Sequence, residues 1–180
     1  MRLKRLLDKA GIKPDLVKLD QCFMIDPEVI RCIIKHADLK KSDIVTEIGS
    51  GTGILTSKIA KYVSKIYAIE LDFKLFDILS SMLSKDRNAE IVMGDVKKYG
   101  FFDANKIISN VPYSITDWLF EKLNNHDFEL AVLTIPLKFY EKHADKYNNL
   151  IIEKVKIVNP QSFYPQPRIQ SCIVKIKKKN

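Results

Sequence analysis

Asp43-Ile44-Val45-Thr46-Glu47-Ile48-Gly49-Ser50-Gly51-Thr52-Gly53 decides the architecture. Its first six residues read as a buried strand, rich in β-branched side chains and of strand length. The glycines stop that run, and apolar residues resume at helical spacing over 54–63. A buried strand feeding a glycine turn and then a helix opens a strand–helix–strand unit, and the rest of the chain repeats it. Residues 66–70 read as a second strand, and Asp72 caps a helix whose apolar face is Leu75, Phe76, Leu79, Met82 and Leu83. Residues 89–93, 106–109 and 128–135 read as further strands, with helical pattern over 116–123 and after Pro136. Two last β-rich runs, 151–158 and 169–176, have no helix between them and predict an antiparallel pair at one edge. The expected fold is α/β: a doubly wound, mostly parallel seven-stranded sheet with a C-terminal antiparallel strand pair. Ahead of it, residues 2–10 predict a short basic amphipathic helix ended by Gly11 and Pro14. Asp26-Pro27-Glu28 starts another helix, with Ile30, Ile33 and Ile34 on its apolar face.

The 180 residues suit a single domain, 1–180, and 46% hydrophobic against 29% charged residues excludes a disordered chain. No apolar run reaches the ~18 residues of a membrane helix, and no secretory h-region follows the basic N-terminus; no membrane association is expected. Cys22, Cys32 and Cys172 with His36, His126 and His143 have no metal-ligand spacing, so no metal is expected, and a reducing cytoplasm is the simplest setting. The net charge of +8 is uneven. Residues 1–18 carry six basic and two acidic side chains, and residues 166–180 carry five basic and none acidic. A basic N-terminal segment 1–18 and a basic tail 175–180 on a neutral body suit a polyanionic partner, although a lysine-rich tail also serves solubility alone.

The turn is G-x-G-x-G, which matches neither the dinucleotide fingerprint G-x-G-x-x-G nor a P-loop. Glycines there let the backbone approach a ligand closely, and the following helix start offers unpaired N–H groups. Such a turn suits a ligand carrying a carboxylate and a ribose. Glu70 ends the second strand, where a carboxylate can accept from two ribose hydroxyls, and Gly94-Asp95 ends the third, where an acid can accept from an adenine amino group. Each alone has a plain alternative, a tight turn or a solvated strand end. Together they place a nucleoside crevice along consecutive strand ends. The fourth strand runs into Asn110-Val111-Pro112-Tyr113. Pro112 restricts Val111 to extended geometry and so fixes its carbonyl. With the Asn110 amide oxygen, that carbonyl offers two acceptors for one NH₂ group, and Tyr113 supplies an aromatic face for a planar base.

Read together, the stretches Gln21-Cys22-Phe23-Met24-Ile25-Asp26, 47–53, Ile69-Glu70, Gly94-Asp95, Asn110-Val111-Pro112-Tyr113 and Phe163-Tyr164-Pro165-Gln166-Pro167-Arg168-Ile169, with Ser171 following, carry a family resemblance. The chain resembles the KsgA/Erm family of S-adenosylmethionine-dependent rRNA adenine N6-methyltransferases, over 16–113 and again over 161–176. The resemblance implies a Rossmann-like class I methyltransferase domain using S-adenosyl-L-methionine. Gln21, Cys22 and Met24 would lie over the cofactor, Gly49, Gly51 and Gly53 would form the turn beneath it, and Glu70 would bind the ribose. Asp95 and the Val96 backbone would bind the adenine. Asn110, which would also border the cofactor, and the Val111 carbonyl, fixed by Pro112, would grip the target N6, with Tyr113 and Phe163 on the two faces of the flipped base. Cys22 stands where the family usually has Asn, Ser50 where Pro is common and Val111 where Leu is common. Family members continue past the last strand into a small helical domain, whereas this sequence stops at Asn180.

The implied activity is methyl transfer to adenine N6 in rRNA, with small-subunit rRNA and dimethylation as the expectation. The implied partner is rRNA or the pre-ribosomal small subunit, in the cytoplasm, with the protein a monomer. Three other readings stay open at this point. One is a ribosome-assembly factor that binds rRNA with weak or no turnover. Another is a DNA adenine or protein glutamine methyltransferase, which usually has Pro where Val111 stands. The third is a methyltransferase for a small or tRNA substrate.

Overall fold

In this computed structural model, which describes residues 2–16 and 19–179, the chain enters through α1 (Arg2–Lys9). Met1, Val17, Lys18 and Asn180, parts of the expected basic ends, lie outside the described residues. Leu3 and Leu7, one turn apart, are buried against Ile12, Phe23, Leu75 and Ile78, while Lys4, Arg5 and Lys9 face solvent. The helix stops at Gly11, where Ile12 N–H reaches back to Leu7 O. After the two-residue β1 (Phe23–Met24), α2 (Pro27–His36) starts where expected: the Asp26 side chain accepts from Glu28 N–H, and Pro27 fills a position whose N–H would have no partner.

The alternating part follows as β2 (Ile44–Ile48), α3 (Ile54–Ile59), β3 (Lys65–Glu70), a 3₁₀ turn Phe73–Leu75 capped by Asp72, α4 (Phe76–Leu83), β4 (Ala89–Met93), α5 (Val96–Tyr99), β5 (Lys106–Asn110), a 3₁₀ turn Tyr113–Ile115, α6 (Thr116–Asn124), β6 (Leu130–Pro136) and α7 (Leu137–His143). The chain then forms β7 (Leu150–Val158), the two-residue β8 (Phe163–Tyr164) and β9 (Ser171–Lys178). The seven-stranded sheet has the order β4-β3-β2-β5-β6-β9-β7. β2 to β6 are mutually parallel, β9 runs antiparallel to β6, and β7 runs antiparallel to β9. The expected doubly wound sheet with a closing antiparallel pair is therefore present, with β9 inserted between β6 and the edge strand β7.

Both faces of the sheet are apolar because both are covered by helices. On one face Ile48, Ile107, Leu133 and Val174 pack with Leu119, Phe120 and Leu123 of α6. On the other, Val45, Ile66, Val132 and Ile173 pack with Ile30 and Ile33 of α2 and Ile59 of α3. Each such side chain contributes roughly 1.5–3 kcal/mol on full burial. The sheet order reverses between β2 and β5, which opens a crevice above their carboxyl ends.

Two expectations change. The helix expected over 54–63 ends at Ile59. The basic stretch 175–178 is not a tail: it is the second half of β9, paired with β6 and β7. Because β9 is antiparallel, it carries those lysines away from the crevice, and Lys178 Nζ donates to Asn124 O at the end of α6 (2.9 Å).

Candidate active site

The glycine turn is stitched to its neighbour strand. Gly49 N–H and Ser50 N–H both donate to Ile69 O, and the Ser50 hydroxyl does the same at 3.0 Å. Gly51, at φ +58, could not carry a side chain unaided: a Cβ would lie 3.1 Å from the Phe23 ring. Its N–H donates to Glu70 Oε2 at 2.7 Å, and Glu70 Oε1 accepts from Asp72 N–H at 2.9 Å. Burial raises the Glu70 pKa, against those backbone donors and together with the nearby charge of Asp72. The first glycines and the acid at the end of β3 thus form one hydrogen-bonded unit.

A strap, residues 19–24, crosses this unit. Gln21 Oε1 accepts from Asp15 N–H (2.8 Å), and Gln21 Nε2 donates to Asp72 Oδ2 (2.7 Å). The amide of Gln21 therefore braces the strap. Phe23 and Met24 pair antiparallel with Tyr164 and Phe163. At its other side the strap meets the segment after β5: Asp20 Oδ2 accepts from Ser114 N–H (2.8 Å), and Cys22 O accepts from Asn110 Nδ2 (2.8 Å). That last bond fixes which way the Asn110 amide points and leaves Oδ1 as its acceptor. The backbone of Cys22 does this work. Its thiol is half buried and stays protonated, its pKa pushed up to about 11 by burial and by the charge of Asp20.

Strap, turn and strand ends enclose an open cavity with about 1080 Å³ of empty space including its mouth. Of the expected cofactor residues, Gln21, Cys22, Met24, Gly49, Gly51, Glu70, Asp95, Val96 and Asn110 all line it, and Pro112 joins them from the acceptor segment. Asp95 Oδ1 is used by Lys97 N–H at the start of α5 (2.9 Å). Gly53 stands behind the wall, at φ +78, where a Cβ would meet Leu79 Cδ1 at 2.8 Å. Val111 buries its side chain in the core and donates its N–H to Thr134 O. Tyr113 sits beside the cavity, half buried, with its phenol oxygen 2.6 Å from Ser171 Oγ.

Phe163 departs from expectation. It is 2% exposed and packs among Met24, Val29 and Ile30, so its ring serves the core and does not present a face for a base. Pairing with β1 turns Phe163 inward and leaves Tyr164 half buried. Reading by spacing also passed over Glu47 as a site residue. It lines the cavity at 2% exposure, with Oε2 unpartnered among the described residues, as is Oγ1 of the nearby Thr56. Burial pushes its pKa up to about 8, the Thr56 hydroxyl opposing and the Glu70 charge reinforcing. A carboxylate inside an otherwise apolar strand run was the available signal.

A profile of the family described as "Ribosomal RNA adenine dimethylase" matches residues 16–180. The chain belongs to that family. Two curated relatives carry the name "Probable ribosomal RNA small subunit methyltransferase A". The one from Methanococcus aeolicus is 37% identical over 91% of this chain and 66% of its own length, and the one from Thermococcus gammatolerans is 35% identical over 99% and 68%. A crystal structure of a dimethyladenosine transferase from Plasmodium falciparum superposes with a TM-score of 0.80 at 32% identity, covering 87% of this chain and 63% of that one. The chain thus spans about two thirds of the length of these relatives. The methyltransferase fold is shared, and the family's turn, acids and Asn-x-Pro-Tyr segment fall on one crevice.

Proposed function

We propose that this chain transfers methyl groups from S-adenosyl-L-methionine to the N6 amine of adenine in rRNA, in the small ribosomal subunit as it is assembled in the cytoplasm. The observation that carries the reading is the Cys22 O to Asn110 Nδ2 bond at the edge of the cavity. It leaves the amide oxygen of Asn110 as a fixed acceptor at the carboxyl end of β5, one residue before Val111.

The residues present fit the cofactor. Glu47 holds an unpartnered buried oxygen in the cavity wall, which a cationic ligand would satisfy. Glu70 and Asp95 would receive the ribose hydroxyls and the adenine amine. When bound, the cofactor supplies a methyl group already activated on a sulfonium. The chain's own contribution is alignment and charge. Asn110 Oδ1 and Val111 O would accept both N–H hydrogens of the target amine. That frees its lone pair from the ring and stabilises the positive charge that develops on nitrogen. Tyr113 would stack on the extruded base, a contact worth ~1–3 kcal/mol. Holding nitrogen and methyl in line supplies the rest through proximity.

Asn110→Ala tests the reading. Methyl transfer to small-subunit rRNA should fall by at least about a hundredfold, the usual cost of removing one such acceptor, while cofactor affinity stays within about threefold. Collapse of cofactor binding, with transfer lost only in proportion, would remove Asn110 from the acceptor site.

A further inference from the structure

Tyr113 follows Pro112 in a single 3₁₀ turn, Tyr113–Ile115, with no buried residue of its own. The ring is half buried, and a turn of only three residues leaves its angle to be set by the groups it touches. Its phenol oxygen lies 2.6 Å from Ser171 Oγ, a hydrogen bond across 58 positions of sequence. Ser171 is held from both sides by the sheet. It is fully buried and begins β9, paired with Pro136 at the end of β6 on one side and Val158 at the end of β7 on the other. Burial raises the Tyr113 pKa, so the phenol keeps its proton at neutral pH and the contact is hydroxyl to hydroxyl. Its length is at the short end for O–H···O bonds.

We propose that Ser171 is a positioning residue: it holds the Tyr113 ring at the angle at which the incoming base stacks, and so sets the height of the target amine relative to Asn110. The inference rests on the function proposed above. It accounts for a link the sequence shows only as two separated motifs. The stretch from Phe163 ends on a serine because that serine anchors the aromatic of the Asn-Val-Pro-Tyr segment. The strand supplies rigidity and the turn supplies the ring; a ring left to swivel would give the same binding surface with the amine misplaced.

The tether has two ends, so removing either hydroxyl removes the same thing. Ser171→Ala, Tyr113→Phe and the double variant are compared by methyl transfer to small-subunit rRNA, by cofactor affinity, and by NMR of ¹³C-labelled tyrosine rings in the free protein. Each single variant should lower kcat about tenfold with cofactor Kd within twofold, and the double variant should equal either single one. In Ser171→Ala the Tyr113 ring signal should shift and broaden while the other tyrosines keep theirs, which also reports that the protein remains folded. Losses that multiply in the double variant would overturn the proposal, as would wild-type kcat in Ser171→Ala. An unchanged Tyr113 signal in Ser171→Ala would overturn it irrespective of turnover. If the wild-type protein transfers no methyl to this RNA, the proposed function fails, and the ring signal alone supports or overturns the tether.

Discussion

Glu47 shows how a single buried side chain sets conditions on binding. Its carboxyl group is enclosed with one oxygen unpaired, and its pKa stands at about 8 against an ordinary 4.5. The free protein at neutral pH therefore holds it mostly protonated. A ligand with a positive centre nearby favours the ionised form, so binding releases a proton below about pH 8. The expected outcome is that cofactor Kd tightens as pH rises from 6 to 8, by up to about tenfold per unit, and levels off above. Glu47→Gln should abolish that slope. Calorimetry in buffers of different ionisation enthalpy reads the proton directly, and a flat profile in the wild type would place the cation away from Glu47. The same shift bears on the free protein. A carboxyl with a raised folded-state pKa contributes stability below its unfolded value of about 4.5, and that contribution is lost as pH climbs through about 8. Thermal unfolding of the ligand-free wild type should show the decline, and the Gln variant should not.

The strap is the element that the sequence concealed. β2 to β6 were legible because apolar strands of five to seven residues, most of them buried and broken by glycines and caps, carry a clear signature. β1 and β8 are two residues each, too short for any periodicity, and their pairing joins positions 140 apart. Their effect is nevertheless large: Phe23 is set over Gly51 and Phe163 is turned into the core. Motif matching predicted which segments meet, since nine of the ten expected cofactor residues line one cavity. It could not predict which side chains spend their polar groups on one another, as Gln21 does. Gly51→Ala probes the strap at its tightest point. The substitution is strained at φ +58 and brings a methyl to 3.1 Å from the Phe23 ring. Backbone strain alone costs about 1–2 kcal/mol, so the melting temperature should fall by several degrees. As Phe23 is pushed outward, cofactor affinity should weaken at least tenfold. Unfolding curves and a cofactor titration on the same samples check both, and an unchanged Kd would mean that the strap does not shape the cavity.

Across the whole molecule, charge and geometry disagree about where a polyanion should lie. Composition draws attention to the lysines near the C-terminus, yet β9 starts at the acceptor end and runs for eight residues toward the opposite end of the sheet. At ~3.3 Å per residue, Lys177 and Lys179 stand roughly 20 and 26 Å from Ser171. Lys178 is occupied with the last carbonyls of α6, a structural use of its charge at a helix C-terminus. Lys138 and Arg168 are exposed at the other end: Lys138 lies in the first turn of α7, next to Leu137, whose N–H donates to Gln170 O, and Arg168 lies between β8 and β9. Under the proposed function, an RNA strand delivering a base to Asn110 would run along this end of the sheet, within reach of these two cations. The expectation is that Lys138→Ala and Arg168→Ala each weaken rRNA binding and reduce the slope of log affinity against log salt by about one. Lys177→Ala and Lys179→Ala should leave that slope within half a unit. Affinities measured across a salt series for the four variants decide it. A slope that falls with the β9 lysines and holds with Lys138 and Arg168 would route the RNA along the far end of the sheet, and would require the target base to reach the cavity from there.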